Sequence, residues 1–188
     1  MKKIFLLILA ILALGAAPDL MADYIRATRG IIWILKDQEV RPSDYRFACA
    51  EDLGRIIAEK SRKHGVDIDA MIALAFTESS FHMDAVGKKG EVGMYQLYAR
   101  YAVEAQKYLD QYSANIEIGA RRLAIAIMIC TEKGKKPATW EQIYGHYRSA
   151  RCDPELGKVK GRLLRKLKAA LNDKRTAHNK TNPERSAP

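Results

Sequence analysis

The sequence predicts a mainly α domain, on three observations. Apolar residues recur at helical spacing over 47–64, 68–78, 116–129 and 153–171. Helix-boundary residues (Gly65, Asp67, Asn115, Thr139, Pro154) stand where those stretches start and stop. The composition, 188 residues with 48% hydrophobic and 29% charged, is globular rather than disordered or collagen-like. The length suits about one domain, and no stretch recurs at a fixed period.

The chain opens with Met1–Lys2–Lys3, an uncharged run from Ile4 to Ala17, and small residues at Gly15, Ala16 and Ala17. This is the layout of a secretory signal peptide. A spanning helix needs about 20 apolar residues, and Pro18–Asp19 interrupts the run first. Cleavage is expected after Ala17 or as late as Ala22, and an uncleaved anchor is the alternative. Either way the chain is expected to leave the cytoplasm, for the periplasm or cell envelope.

Residues 18–46 form an N-terminal segment whose apolar run, Ile31 to Leu35, reads as a strand or as part of a packed helix. Arg41–Pro42–Ser43–Asp44 reads as a loop. From about Phe47 to His64 the pattern is helical, with Leu53, Ile56 and Ile57 on one face and Gly65 as the stop. Asp67 suits the N-cap of a second helix. That helix is apolar nearly all round and should be buried; it ends in Thr77–Glu78–Ser79–Ser80. Residues 81–98 hold Gly87, Gly90 and Gly93 and read as a structured loop with a small hairpin. Ala99 to Leu109 reads as a helix, and Asn115 as the cap of a strong one over Ile116–Ile129. Thr139 with Gln142 forms a capping box for a helix reaching Ser149. Pro154 takes the favoured first position of the last helix, whose stripe reads as Leu156, Val159, Leu163, Leu164, Leu167 and Leu171. The remainder, 173–188, is polar and expected to be disordered.

The net charge of +10 is unevenly placed. Residues 18–157 hold 20 Lys/Arg and 20 Asp/Glu, whereas residues 158–188 hold ten Lys/Arg against two acids. The folded part is neutral and the end is basic. A nucleic-acid partner is therefore not expected, although such a tail can attract an anionic polymer or envelope surface. Cysteines are Cys49, Cys130 and Cys152, so at most one internal bridge leaves one thiol free. No Cys or His spacing suits a metal, and no cofactor is implied. His64, His82, His146 and His178 read as surface or structural residues.

Glu78 carries the most chemical information. It ends an apolar helix, beside Phe76 and before a glycine-rich loop. Burial there disfavours the charged form, and a carboxyl held protonated near neutral pH is what a general acid requires. Around it stand, in order, Glu78–Ser79, Gly93–Met94–Tyr95–Gln96, Asn115–Ile116 with Gly119, and Tyr147. This series resembles the soluble lytic transglycosylase (SLT) domain family of the lysozyme-like superfamily. That family carries Glu-Ser at a helix end, a Gly-Leu-Met-Gln-like turn, an Asn-Ile-x-x-Gly helix start and an Ala-Tyr-Asn segment. The resemblance spans about Ala50 to Ser149, and the catalytic domain is expected over 47–152, followed by a basic helix over 153–172.

The resemblance implies that Glu78 is the catalytic acid/base and that Ser79 steadies it. It implies that Met94 and Gln96 belong to the turn lining a sugar cleft, and that Tyr147 lies near the acid. The turn reads Gly-Met-Tyr-Gln here, so Tyr95 is a further candidate for the cleft. Met94, Tyr95 and Tyr147 are expected to offer apolar faces to sugar rings. Arg148 stands where asparagine is usual. For Met94 and Tyr95 the plain alternative is packing under the loop, for Gln96 a loop-fixing hydrogen bond, and for Tyr147 an inward-packed aromatic.

Hydrolytic glycosidases use two carboxylates. Asp84, Glu91 and Glu104 are candidates for the second, none in so cleft-like a context. The family uses one glutamate twice, first protonating the bond between N-acetylmuramic acid and N-acetylglucosamine, then deprotonating the muramic 6-hydroxyl, which closes a 1,6-anhydro ring. The tethered nucleophile is already in position. Rival readings are a lysozyme-type hydrolase, with a water held by Asp84 or Glu91, and a non-catalytic peptidoglycan-binding module of an envelope assembly. An enzyme of this type serves wall turnover or opens the wall for a secretion, conjugation or phage assembly, and these are the partner contexts the resemblance implies.

The resemblance also suggests a disulfide. If the first two helices are antiparallel, Cys49 lies near Glu78, and Cys152 follows Tyr147; a Cys49–Cys152 bridge is expected, with Cys130 free. Removing residues 158–188 is expected to weaken wall binding in a salt-dependent way while leaving cleavage of small fragments nearly intact.

Overall fold

The computed structural model describes residues 18–98, 111–133 and 137–181. The expected signal segment, the helix expected over 99–109 and the candidate Glu104 lie outside those residues. Among the described residues the fold is mainly helical, with one small antiparallel hairpin, consistent with a lysozyme-like helical domain. No described helix is long and apolar enough to cross a membrane.

The N-terminal segment opens with helix α1, Pro18–Asp37. Ala27, Ile31, Ile34 and Leu35 are fully buried, and steps of four, three and one place them on one face. The run 31–35 is thus packed helix, not strand. A single turn, α2 (Tyr45–Ala48), is capped by Asp44, and α3 (Ala50–His64) stops at Gly65, in the left-handed region at φ 63°. α1 packs along α3. Gly54 makes their approach close, since a Cβ there would sit 2.8 Å from the Thr28 backbone nitrogen.

Asp67 caps α4 (Ile68–Ser79), its carboxylate accepting the Ala70 N–H at 2.9 Å. Residues 69–75 are all buried, as an all-round apolar helix requires. The charge among them, Asp69, accepts from Arg26 Nε at 2.9 Å; a buried carboxylate without such a partner would be costly. The glycine-rich loop closes as a hairpin of β1 (Glu91–Val92) and β2 (Leu97–Tyr98), with Val92 opposite Leu97.

Helix α5, Tyr112–Lys133, begins before Asn115, so Asn115 is not its cap but a fully buried residue within it. Helix α6 (Trp140–Ser149) carries the expected Thr139–Gln142 capping box. Helix α7 starts at Pro154 and runs to Thr181, past the point where disorder was expected. Residues 173–181 contain no glycine or proline to interrupt it.

Helix α7 is part of the domain rather than an appendage. It packs on α6 and α4, and Leu163, Leu164 and Leu167 are in the core. Its stripe differs from the expected one at the second turn: Val159 is 72% exposed, and Lys160 is 8% exposed.

The disulfide joins Cys130 to Cys152, with Cα atoms 5.6 Å apart, and Cys49 is the free cysteine. This corrects the expected Cys49–Cys152 pairing. The reason is the turn after α6. Ala150 takes the left-handed conformation, φ 57°, and the chain doubles back until the Asp153 backbone lies against Gly145, where a Cβ would stand 2.9 Å from its carbonyl carbon. Cys152 is thereby carried back towards the start of α6, whose Gln142 carbonyl oxygen is 3.6 Å from Cys130 Sγ.

Candidate active site

Glu78 lies in the last turn of α4. The helix stops one residue later, at Ser79, because Ser80 and Phe81 take left-handed conformations, φ 55° and 65°. The carboxylate is left, 18% exposed, in the wall of a cavity of about 400 Å³. Gln96, Tyr98, Tyr147 and Glu91 line the same cavity, and Lys88, Lys89, Arg122 and Arg148 bring four cations to it.

The wall beside Glu78 is the 93–96 turn, tied from several sides. Ser79 Oγ donates to the Met94 carbonyl at 2.9 Å. The Tyr95 N–H donates to Asn115 Oδ1 at 2.8 Å, and Asn115 Nδ2 donates to the Val92 carbonyl at 2.9 Å. Tyr147 donates its phenol hydrogen to the Tyr95 carbonyl at 3.0 Å. Gln96 Nε2 donates to Gly93 at 3.0 Å and to Ala85 at 3.2 Å. Gly93, at φ 75°, has the conformation that glycine adopts without steric cost. Gly119 lies one turn after Asn115 on the same face of α5, and a Cβ there would meet the Tyr95 ring at 2.8 Å. The spaced pair Asn115 and Gly119 is thus a cradle for Tyr95.

Met94 and Tyr95 have no exposed surface, so neither offers a face to the cavity, against the expectation for both. Tyr95 instead runs inward, donating its hydroxyl hydrogen to the Met71 carbonyl at 3.2 Å. The aromatic surfaces at the cavity belong to Tyr147 and to Tyr98, which is 66% exposed. Gln96 both lines the cavity and fixes the loop. Burial pushes the phenol of Tyr147 well up, and that of Tyr95 likewise, so both remain neutral hydroxyl donors. The Arg122 guanidinium sits 4.9 Å over the Tyr147 ring, a cation–π contact that fixes the ring's outer side.

Sequence reasoning misses Lys160, Arg122, Tyr98, Lys88 and Lys89 at the site. The Lys160 ammonium stands 3.3 Å from Glu78 Oε1. A lysine in phase with Leu156, Leu163 and Leu167 was the available signal for it. For Arg122 the signal was its place one turn after Gly119. Of the candidate second carboxylates, Glu91 lines the cavity and Asp84 does not. Glu91 accepts the Lys89 N–H at 3.0 Å. The histidines outside the cavity pair with neighbours: His64 with Glu117, and His82 with the Tyr45 hydroxyl at 2.9 Å.

Glu78 is thus a carboxylate at the end of a buried helix, facing a cleft whose wall is a hydrogen-bonded turn, within a lysozyme-like helical domain. The chain matches the transglycosylase SLT domain over residues 55–150, just over half its length, and belongs to that family. No curated protein and no solved structure matches it.

Proposed function

We propose that the protein is an exported lytic transglycosylase that cuts the glycan strands of peptidoglycan with Glu78 as its single acid/base. Glu78 gives its proton to the oxygen linking N-acetylmuramic acid to N-acetylglucosamine as that C–O bond breaks. The resulting carboxylate then takes the proton of the muramic 6-hydroxyl while its oxygen bonds to the anomeric carbon. A 1,6-anhydromuramyl end forms, and no water is consumed. The observation that carries this reading is the exposure of Glu78, at the end of an otherwise buried helix, to a cavity bounded by Tyr147 and Gln96. Ser79 and Tyr147 support it by holding the wall of that cavity.

The cations at the cavity, with the basic charge of α7, suit an anionic polymer. For the exposed face of α7 the test is charge reversal at Lys158, Arg162 and Lys166, all exposed. Truncation from 158 onward is unsuitable, since it removes core leucines. Salt-dependent loss of wall binding is expected, and equal loss at high and low salt counts against steering.

The deciding experiment is digestion of purified peptidoglycan by the protein and by Glu78→Gln, with the sugar ends identified by mass spectrometry. Anhydromuramyl ends from the parent and none from the variant support the proposal. Reducing muramic ends would favour the second reading, a hydrolase, for which Glu91 in the same cavity is the candidate second carboxylate. Wall binding without any product would favour a binding module.

A further inference from the structure

The family match ends at residue 150, yet the charged group paired with Glu78 comes from beyond it. Lys160 lies on the inward face of α7, between Gly157 and Gly161 and one turn before Leu163 and Leu164. A buried ammonium is costly unless it is paired, and an apolar residue would fill the same place in the stripe at lower cost. The fold also makes room for the helix that carries it. A Cβ on Gly157 would stand 2.8 Å from the Glu141 carbonyl carbon, and one on Gly161 would stand 2.9 Å from Glu141 Cγ. Gly157 thus brings α7 against the α6 backbone, and Gly161 brings it against the Glu141 side chain. From there the lysine reaches 3.3 Å from Glu78 Oε1, with 10% of its own side chain exposed.

We propose that Lys160 is a positioning residue for Glu78, built into the active site by the C-terminal helix. It holds the carboxylate at the cleft wall and offsets the negative charge that Glu78 acquires when it gives up its proton. This inference rests on the acid/base reading of Glu78. Other charged and titratable groups face the same cavity: Arg122 from α5, Arg148 and the Tyr147 hydroxyl from α6, Glu91 from the hairpin, and Lys88 and Lys89 from the loop before it. Among the described residues, Lys160 is the cation within ion-pairing distance, and a pair so little exposed is weakly screened.

The test compares the full chain with Lys160→Met and Lys160→Arg, and with Lys160→Gln should the methionine variant fail to fold by circular dichroism. Two readouts are taken across pH: kcat and KM for release of soluble products from peptidoglycan, and the carbon-13 resonance of the Glu78 carboxyl, assigned with Glu78→Gln. For Lys160→Met we expect kcat to fall by about tenfold, with KM nearly unchanged. The pH profile of activity and the carboxyl resonance should both change, because the charge 3.3 Å from Glu78 Oε1 is gone. Lys160→Arg should recover much of both. A folded Lys160→Met or Lys160→Gln with an unchanged titration overturns the inference, even if kcat falls, since that is the mark of a merely structural role. If the parent protein releases no products, the transglycosylase reading fails instead, and the carboxyl titration still decides whether Lys160 and Glu78 are coupled.

Discussion

Asn115 accepts the backbone N–H of Tyr95 at 2.8 Å and donates to the carbonyl of Val92 at 2.9 Å, from a fully buried position inside a helix. One amide side chain thereby satisfies two buried backbone groups of the turn that walls the cavity. Replacing it by leucine leaves both unpaired, which should cost about 3 kcal/mol and lower the urea midpoint. Asn115→Asp keeps the acceptor but buries a carboxylate whose second oxygen faces the Val92 carbonyl, so it should cost at least as much. Gly119→Ala presses a methyl into the Tyr95 ring and should cost about 2 kcal/mol. Equal stability of the leucine variant and the parent would contradict this account of the turn.

The Cys130–Cys152 bridge spans 22 residues of separation and closes the turn after α6 onto the end of α5. Opening it with paired serines should destabilise the protein by about 3 kcal/mol, as expected for a loop of this size. Peptide mapping without reduction should recover one linked pair containing Cys130 and Cys152, with Cys49 the alkylated thiol. A Cys49-containing linked peptide would contradict the structure.

The C-terminal helix should divide at Asp173. Deleting 174–188 leaves Leu163, Leu164 and Leu167 in the core and should leave the thermal midpoint nearly unchanged. Deleting 158–188 removes all three, a loss on the order of 5 kcal/mol in buried apolar surface alone, comparable to the whole stability of a small domain. That variant should lack a cooperative thermal transition by circular dichroism.

Acid stability should depend on Glu117. Hydrogen bonds from Lys63 above all, then from His64 and Lys60, hold its carboxyl at about 2, below the ordinary 4.5. A carboxyl depressed on folding contributes stability that is complete above about pH 4.5 and is lost as the pH falls towards 2. Glu117→Gln should therefore lower the urea midpoint at pH 7, and the difference from the parent should shrink by pH 3. A difference that grows on acidification would reverse the sign of this argument.

Much of the fold was legible because its signals are local. Asp67, Gly65 and the Thr139–Gln142 box act on backbone groups within one turn, so their positions read directly as helix ends. The apolar run 70–76, behind the Asp67 cap, reads as a buried helix, and it delivers Glu78 to its end. The segment 31–35 was ambiguous because an apolar run of five lacks a period of its own. It is helical because Ala27, four residues earlier, shares its buried face.

Glu78, Gln96 and Tyr147 line one cavity. Met94 and Tyr95, their neighbours in the same motifs, are wholly buried away from it. Consecutive residues in a turn can face cleft or core, and here the side is set by Asn115 and Gly119, some twenty residues on, which draw Tyr95 inward. The cysteine pairing depended in the same way on a chain reversal at Ala150, where a non-glycine residue takes a left-handed conformation.

From the amino-acid order alone, then, come the helices, their ends, the basic C-terminal stretch and the acid at the end of the buried helix. These rest on interactions between residues three or four apart. The partner of that acid, the disulfide and the inward turn of Tyr95 join residues far apart in the chain. Their meeting depends on how closely chain segments approach: Gly145 and Gly157 let backbone touch backbone, and Gly161 leaves room for the Glu141 side chain. Lys160 reads in sequence as one more charge on a basic helix; only the packing of α7 against α6 carries it to Glu78.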